Sequence, residues 1–191
     1  MNTRTALLDS AERAARQRGF DAFSYADLAR DVGIRKASIH HHFPVKADLA
    51  FGLIERYAAR FAEALARIDR EHQTGAEKLR AYHQAYRNAL ADGTQLCLCV
   101  SMSAGRDSFA EPVLSQLNQF HEDSAAWLTQ VFEQGRADGS IRDVEDAELD
   151  ARATLALMEG AQLLARAAKA TDRFDQATAS LLTRLKPTHL N

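Results

Sequence analysis

The sequence is poor in cysteine, proline and glycine, with 2, 3 and 9 of these residues among 191. Two cysteines only two positions apart are too close for an ordinary structural disulfide, which argues against a secreted, disulfide-stabilised fold. No run of about 18 apolar residues is present, so a transmembrane helix is not expected, and the N-terminus lacks the apolar stretch of a signal peptide. We therefore predict a cytoplasmic protein that has no membrane partner.

The residues that are abundant favour helix. Ala, Leu, Arg, Glu and Gln are frequent, and all of them have high helix propensity. Apolar residues recur at helical spacing and no strand pattern is present. We predict an all-α fold of about nine helices, over about 3–18, 24–33, 36–42, 46–71, 74–93, 95–105, 111–137, 145–170 and 172–185.

Charge is distributed unevenly along the chain. Residues 1–46 carry eight Lys and Arg against five Asp and Glu, although the net charge of the whole chain is −2. A basic N-terminal segment ahead of an acidic body indicates that one end of the protein meets an anion.

Residues 24–43 are predicted to form two short helices joined by a turn at Gly33, which is the outline of a helix-turn-helix. The second helix lies in the stretch "GIRKASIHHHF" at residues 33–43. Three consecutive histidines suggest a metal site, but successive helical residues point about 100° apart and cannot converge on one ion. The sequence also lacks a phosphate loop and a nucleophile elbow. We predict no metal site, no cofactor and no catalytic residue.

Residues 19–49, "GFDAFSYADLARDVGIRKASIHHHFPVKADL", resemble the DNA-binding head of TetR-family transcriptional regulators. The matching positions are Gly19-Phe20, Ser24, Leu28-Ala29, Gly33-Ile34, Ser38-Ile39, His42-Phe43, Lys46 and Asp48-Leu49. The resemblance implies a DNA-binding domain at residues 1–46, with its helix-turn-helix at about 24–43, and a helical effector-binding and dimerisation domain at 47–191. Two positions depart from the family: His40 stands where a phosphate-binding Tyr is usual, and Arg35 where a small capping Ser is frequent.

The second helix of a helix-turn-helix enters the major groove, and its first residues reach the base edges. Arg35 or Lys36 would contact guanine, and the Ala37 methyl would contact a thymine methyl. Ile39 and Phe43 are expected in the core instead. The full set of predicted DNA contacts is Ser24, Tyr25, Arg35, Lys36, Ala37, Ser38, His40, His41 and Lys46.

In this family the middle helices enclose a cavity for a small-molecule inducer. The residues that we assign to its walls are of types that more often belong simply to the core. They are Phe61, Leu65, Tyr82, Tyr86, Cys97, Met102, Phe120, Trp127 and Met158.

The two cysteines lie in "LCLCVSMSAG" at residues 96–105. Residues two apart on a helix point about 200° from each other, so this pair is not expected to bind one metal. The stretch resembles the matching helix of TetR regulators that sense electrophiles or oxidants, with a Cys at the position of Cys97. A sensor thiol needs a nearby cation or a helix N-terminus, and Arg166 is the candidate cation. The alternative is that both cysteines are small buried apolar residues.

The resemblance also implies a homodimer built from the last two helices. The penultimate helix is apolar on more than one face, which independently favours an interface, although a wholly intramolecular core is the alternative. Gly160 in mid-helix costs about 1 kcal/mol against Ala unless a close helix approach uses it. The predicted interface residues are Leu157, Gly160, Leu164, Phe174, Leu181 and Leu185.

Together these features predict a sequence-specific regulator of transcription. Its partners would be a palindromic double-stranded DNA operator, a second copy of the chain and an unidentified small-molecule effector or thiol-modifying agent. Most members of the family are repressors. A non-specific architectural DNA-binding protein is the first alternative, although the net charge of −2 is low for that class. A small helical enzyme is the second.

Overall fold

The computed structural model describes residues 2–186. Within this part of the chain there are nine α-helices and no strand, apart from one isolated bridge between Ile141 and Leu185. The helices are α1 (Thr3–Arg18), α2 (Tyr25–Val32), α3 (Lys36–His42), α4 (Lys46–Glu71), α5 (Gly75–Ala89), α6 (Leu98–Ser103), α7 (Glu111–Ala137), α8 (Ala147–Ala168) and α9 (Asp172–Thr183). The predicted all-α class is confirmed. The described residues also contain no helix long and apolar enough to cross a membrane.

Two of the helices begin where the sequence predicts a capping pair. Ser24 caps α2: its side chain accepts from the Asp27 amide, and its own amide donates to the Asp27 carboxylate at 2.9 Å. Thr74 and Glu77 form the same reciprocal pair at the start of α5, with 3.1 Å from the Thr74 amide to the carboxylate. Each pair satisfies amides that the first turn of a helix leaves without partners. Gly33 then ends α2 with a φ of 75°, a conformation that glycine adopts without strain.

The chain forms two compact units. The first contains the residues up to Arg60 together with Gln95–Phe120, and the second contains Phe61–Thr94 together with the chain from His121 onward. The predicted boundary near residue 46 coincides with the start of α4. The first unit extends beyond it, because α4 continues without a break and because residues 96–101 hydrogen-bond to α1.

The core of the first unit is built on α1 and on one side of the helix-turn-helix. Ile39 is fully buried and Phe43 is 2% exposed, as their spacing predicts. Residues 39 and 43 lie one turn apart on the same side of the chain, so this side carries the apolar contacts of α3. The opposite side of α3 is left for solvent or a partner.

The core of the second unit joins α5, α7, α8 and α9, with Tyr82, Phe132 and Phe174 as its largest fully buried side chains. Two glycines permit a close approach within it. A Cβ atom at Gly75 would lie 2.5 Å from the Gly135 backbone, closer than van der Waals packing allows. Only the folded structure reveals this requirement, because neither residue has a positive φ.

Candidate nucleic-acid interface and effector site

One side of α3 presents polar and basic groups. Lys36, Ala37, His40 and His41 are exposed, and Arg35 just before the helix is exposed as well. These positions share one side of the helix because residues one turn apart align, while Ile39 faces the core. Arg35 makes no capping hydrogen bond to the start of α3. A guanidinium has no acceptor and cannot cap these amides, so Arg35 adds an exposed positive charge beside the first turn of α3.

Two of the predicted DNA contacts, Tyr25 and Lys46, make contacts inside the head. The Tyr25 side chain is buried, and its hydroxyl donates to the Phe43 carbonyl at 2.9 Å. The Lys46 ammonium lies 4.8 Å from the Phe20 ring centroid, 4.9 Å from that of Phe23 and 3.9 Å from an Asp21 carboxylate oxygen.

These contacts correct the prediction for Tyr25. Burial raises the pKa of its hydroxyl to about 12, with a smaller contribution from Asp48, so the group stays a neutral donor within the fold. Its proton is committed to a backbone carbonyl, and a phosphate contact would need an exposed donor. Ser24 keeps an exposed position, but its hydroxyl hydrogen-bonds with the Asp27 carboxylate at 2.8 Å.

His40 is the exposed residue whose geometry is best defined. Its Nδ1 lies 3.1 Å from the Pro44 carbonyl oxygen, and its ring meets the Tyr25 ring edge-on at 5.1 Å between centroids. A carbonyl oxygen is only an acceptor, so Nδ1 carries the proton in this contact. In the neutral ring Nε2 is then an acceptor, and it donates to an anion only when the imidazole is protonated.

The cysteines lie at the start of α6. The sequence predicts that this helix begins at about residue 95, which is earlier than its observed start. The helix begins at Leu98, and Cys97 precedes it with a ψ of 139°. Because Cys97 is outside the helix, the separation of about 200° expected for two residues on one helix does not apply to this pair. Both cysteines are buried thiols, at 2% and 0% exposure.

The electrostatics of Cys97 favour its thiolate. The hydrogen bond with the Cys99 thiol lowers the pKa of Cys97 to about 7, helped by the Tyr57 hydroxyl and the Val100 and Cys99 amides, against the opposing effect of burial. The Tyr57 hydroxyl donates to the Cys97 sulfur at 3.2 Å. Burial and the neighbouring Cys97 raise the pKa of Tyr57 well above its ordinary value.

Tyr57 is a residue of this site that is absent from the set predicted from the sequence. Its hydroxyl contacts Cys97, which is 40 positions away in the chain. A sequence pattern that spans a few residues cannot predict such a contact. The predicted cation, Arg166, lies half-buried in α8 of the second unit.

A polar connection joins this site to α1. The Leu96 amide donates to the Arg16 carbonyl at 3.0 Å, and the Arg16 Nε donates to the Leu96 carbonyl at 2.8 Å. The Ser101 hydroxyl donates to the Ala15 carbonyl at 2.7 Å. α6 is therefore fixed to the last turn of α1, the helix that packs against α2 of the helix-turn-helix.

Arg16 also belongs to an ionic cluster between α1 and α4. Glu12, buried at 8% exposure, accepts from Arg56 at 2.9 Å and from Arg60 at 2.5 Å, and Arg56 also binds Asp9 at 2.7 Å. Arg16 lies 3.8 Å from the other Glu12 oxygen. Removal of one of these arginines would leave the buried carboxylate less well compensated, which is destabilising.

The predicted effector-pocket residues fall into both units. In the second, Phe61, Tyr82, Tyr86 and Trp127 form one aromatic cluster: Tyr82 stacks on Trp127 at 5.4 Å and contacts Tyr86 at 4.9 Å. Phe61 meets both tyrosine rings edge-on at 6.2 Å. The remaining second-unit candidates, Leu65 and Met158, lie in the same core. The first-unit candidates, all buried, are Cys97, Met102 and Phe120.

The outer side of α8 is apolar and exposed. Leu149 is 67%, Leu163 46% and Leu164 61% exposed. No atom lies within 4 Å of a Cβ built at Gly160. Leucines that remain in water do not stabilise the folded protomer. An exposed apolar surface of this kind marks a site where another protein chain can bind.

Three of the six predicted interface residues need correction. Phe174, Leu181 and Leu185 are 0%, 5% and 4% exposed, because they pack into the core of their own protomer. They offer no surface to a second chain. Leu157 and Gly160 are half-buried and Leu164 is exposed, and all three lie on α8.

Comparison with known proteins identifies both parts of the chain. Residues 7–53 match the family model of bacterial regulatory proteins of the tetR family, and residues 75–181 match the tetracyclin repressor-like C-terminal domain. The chain is 25% identical to the HTH-type transcriptional repressor NemR of Escherichia coli strain K12 over 181 residues, covering 93% of this chain and 91% of NemR.

Solved structures match over nearly the whole chain. A TetR-family transcriptional regulator from Agrobacterium tumefaciens superposes with a TM-score of 0.91 at 32% identity, covering 97% of this chain and 98% of that one. The reduced form of E. coli NemR has the same fold, with a TM-score of 0.85, 24% identity and 100% coverage of both chains. The chain therefore belongs to the TetR family of bacterial transcriptional regulators.

Proposed function

We propose that this protein is a repressor that binds a palindromic operator as a homodimer and is released by a small-molecule inducer or by modification of Cys97. The observation that carries the DNA-binding part is the exposed basic side of α3 inside a TetR-family head. Arg35, Lys36 and Ala37 lie where a recognition helix meets base edges. Ser38, His40 and His41 extend this surface toward the phosphates.

Ser24 and Lys46 complete the proposed DNA interface in supporting roles. Ser24 holds the start of α2, whose first amides favour a phosphate. Lys46 stiffens the head through its aromatic contacts. The DNA-binding domain proposed for residues 1–46 therefore includes positioning residues as well as contacts.

The proposed dimer uses the exposed side of α8. Leu149, Leu163 and Leu164, with Gly160 between them, form an apolar surface that a second copy would cover. A two-fold interface pairs the same surface of both chains. Two recognition helices then reach successive major grooves roughly 34–36 Å apart, which matches a palindromic operator.

The proposed trigger is a modification of Cys97, which lies outside the DNA-binding domain and would alter how that domain binds DNA. Cys97 has a lowered pKa and accepts a hydrogen bond from the Tyr57 hydroxyl, and the thiolate is the reactive form of a cysteine. NemR, a transcriptional repressor to which this chain is similar, is described in a reduced form. The two hydrogen bonds between Leu96 and Arg16 would transmit a change at Cys97 to α1, so that the recognition helices no longer fit their half-sites.

Footprinting of the purified protein on the DNA beside its own gene tests this function. We expect protection of a palindrome, and Lys36→Ala to weaken binding about tenfold or more, since a good base contact contributes about 1–3 kcal/mol. Arg67→Ala is the matched control, because it removes an exposed positive charge from α4 outside the head. Equal losses in both variants, or protection without sequence preference, would instead indicate an architectural protein.

Release is tested on the same operator. Diamide or N-ethylmaleimide should release wild type and leave the Cys97→Ser complex intact. If both complexes dissociate equally, the thiol trigger is rejected. A thermal-shift screen of metabolites and drugs on both proteins then searches for a reversible inducer, whose binding raises the unfolding temperature.

A further inference from the structure

The side chain of Lys46, at the start of α4, lies against the segment that precedes α2. Its ammonium is 4.8 Å from the Phe20 ring centroid, 4.9 Å from that of Phe23 and 3.9 Å from one oxygen of the Asp21 carboxylate. The side chains of Lys46 and Asp21 are still 36% and 62% exposed. The two rings attract the ammonium without neutralising its charge, so the carboxylate of Asp21 is the negative charge that opposes it.

Asp21 is also bound to the residues that follow α6. The other oxygen of its carboxylate accepts a hydrogen bond from the Ser108 hydroxyl at 2.5 Å. The Phe109 ring lies 5.2 Å from the Phe20 ring, and a Cβ atom built at Gly105 would lie 4.0 Å from the same Asp21 oxygen. All of these residues belong to the first unit. One carboxylate therefore connects the chain just after α6 with the ammonium of Lys46.

We propose that Asp21 competes with the phosphates of double-stranded DNA for the Lys46 ammonium, and that Ser108 holds Asp21 in the position where it competes. The contact is autoinhibitory, because it lowers the affinity of the free protein for DNA. It rests on the proposed DNA interface and deepens it by giving the charge of Lys46 an internal competitor.

The distances explain why the two anions compete. A phosphate oxygen in contact with Lys46 would lie about 3–4 Å from the ammonium, and the Asp21 oxygen already lies 3.9 Å from it. The two negative charges are then at most roughly 8 Å apart, which is within the Debye length at physiological salt, so their repulsion is only partly screened. An exposed ion pair of this kind is weak, and DNA therefore displaces Asp21 instead of being excluded by it.

Ser108 decides how firmly the competitor is held. An exposed carboxylate can rotate into solvent, and a hydrogen bond to a charged acceptor is among the stronger ones that a hydroxyl makes. Ser108 lies just beyond the end of α6 at Ser103. A rearrangement of α6 that withdraws Ser108 would free Asp21 to turn away, and Lys46 would then be open to phosphate. This connection of α6 to the head is separate from the one between Leu96 and Arg16.

A double-mutant cycle on DNA affinity, measured with the full chain, tests the competition. Asp21→Asn removes the charge and keeps both the size of the side chain and an acceptor for Ser108. It should raise the affinity by about two- to fivefold, the range expected for one exposed ion pair. Lys46→Met keeps an unbranched side chain over the rings, and it should reduce the slope of log affinity against log salt by about 0.9, the effect of one phosphate contact. In the Lys46→Met background, Asp21→Asn should bring no gain.

Two further variants serve as control and as test of the connection to α6. Asp31→Asn removes an exposed carboxylate of the same head that pairs with Arg13 at 2.9 Å. Its effect on affinity should be the same with and without Lys46→Met. Ser108→Ala should raise the affinity in the same direction as Asp21→Asn, and it should have no effect once Asp21→Asn is present. Circular dichroism checks the folding of each variant.

The competition is refuted by an equal gain from Asp21→Asn in both backgrounds, because the gain would then reflect the lost negative charge alone. A lower affinity of Asp21→Asn would also refute it, since Asp21 would then orient Lys46 toward DNA. Wild-type affinity of Ser108→Ala would overturn the part assigned to Ser108. Phosphate contacts do not depend on base sequence, so the cycle can be measured on any short duplex. If no palindrome is protected but the cycle gives the expected result, the proposed operator fails and the competition stands.

Discussion

His40 shows how a single hydrogen bond sets the chemistry of a surface. Its Nδ1 is engaged by the Pro44 carbonyl, 3.1 Å away, so the outward Nε2 accepts in the neutral ring and donates in the charged one. Tyr25 is the titratable group packed against its ring, and burial keeps that hydroxyl neutral, with a raised pKa. A phosphate at Nε2 would therefore be bound by the imidazolium form.

This geometry predicts the effect of a phenol at position 40. His40→Tyr should keep or strengthen operator binding near pH 7.5, because a phenol hydroxyl donates to a phosphate without carrying a charge. Fluorescence anisotropy at constant salt measures the affinity. A large loss of affinity in this variant would show that His40 does something other than hold phosphate.

His83 is a buried titratable residue with a different consequence. Its Nε2 lies 2.8 Å from the Thr178 hydroxyl oxygen, and that hydroxyl donates to the Phe174 carbonyl at 2.8 Å, so Nε2 is the donor to Thr178. Burial lowers the pKa of His83 below its ordinary value of 6.5, opposed by Asp175 and helped by Arg87. The folded state therefore binds this proton less tightly than the unfolded chain does.

Stability should respond to this difference with a defined sign. The contribution of His83 is fully present above about pH 6.5 and is lost as pH falls through the lower folded-state value. His83→Gln should cost about 1 kcal/mol at pH 7.5, where a neutral hydrogen bond weakens, and should reduce the decline of stability between pH 7 and 5. Urea unfolding across this pH range measures both. An unchanged slope would mean that other groups cause the decline.

At the scale of the elements, the attachment of α6 to α1 decides how the cysteines communicate with the head. It consists of two hydrogen bonds between Leu96 and Arg16 and one between Ser101 and Ala15. These bonds join segments about 80 positions apart in the chain. They fix α6 to α1, which itself packs against α2. A rearrangement at the start of α6 would therefore be transmitted through α1 to the helix-turn-helix.

Arg16→Leu should loosen this attachment. The Leu96 carbonyl and the Glu12 carboxylate would each lose a charged neighbour, at a cost of about 1–3 kcal/mol. Amide hydrogens of residues 95–105 should then exchange faster with solvent, as measured by mass spectrometry. Arg18→Leu is the control, since Arg18 is an exposed arginine in the same last turn. Equal exchange in the two variants would contradict the role of Arg16.

At the scale of the whole molecule, the proposed function depends on how two copies of the chain form a dimer. The exposed apolar side of α8 and the open space at Gly160 predict that a side chain at this position is tolerated by the protomer and not by a dimer. The dimer in turn determines operator recognition, because one recognition helix reads only half of a palindrome.

Gly160→Leu and Leu164→Asp should therefore weaken dimerisation without unfolding the chain. A residue near the centre of an interface contributes about 2 kcal/mol or more, which corresponds to roughly thirtyfold in the dissociation constant. Light scattering after gel filtration gives the mass, and footprinting should show parallel loss of operator binding. Ala66→Asp, at an exposed position of α4, is the control. Dimers of wild-type stability in both variants would place the interface elsewhere.

Local sequence by itself determined the elements of this protein. The capping pairs at Ser24 and Thr74 and the turn at Gly33 are short-range features, and each one appears in the structure where it was predicted. The helical spacing of apolar residues located the helices, although α6 begins at Leu98 and not at the predicted residue 95. The recognition helix followed in the same way, because burial of Ile39 and Phe43 leaves its basic side exposed.

Tertiary structure decided what joins positions far apart in the chain. The hydroxyl of Tyr57 at Cys97, the pairing of Leu96 with Arg16 and the close approach of Gly75 to Gly135 depend on packing between helices. It also decided which leucines of the last two helices face outward, which an apolar pattern on several faces leaves open. Helix caps and periodicity act within a few residues, whereas these contacts depend on how whole helices pack, and for that reason only the folded chain specifies them.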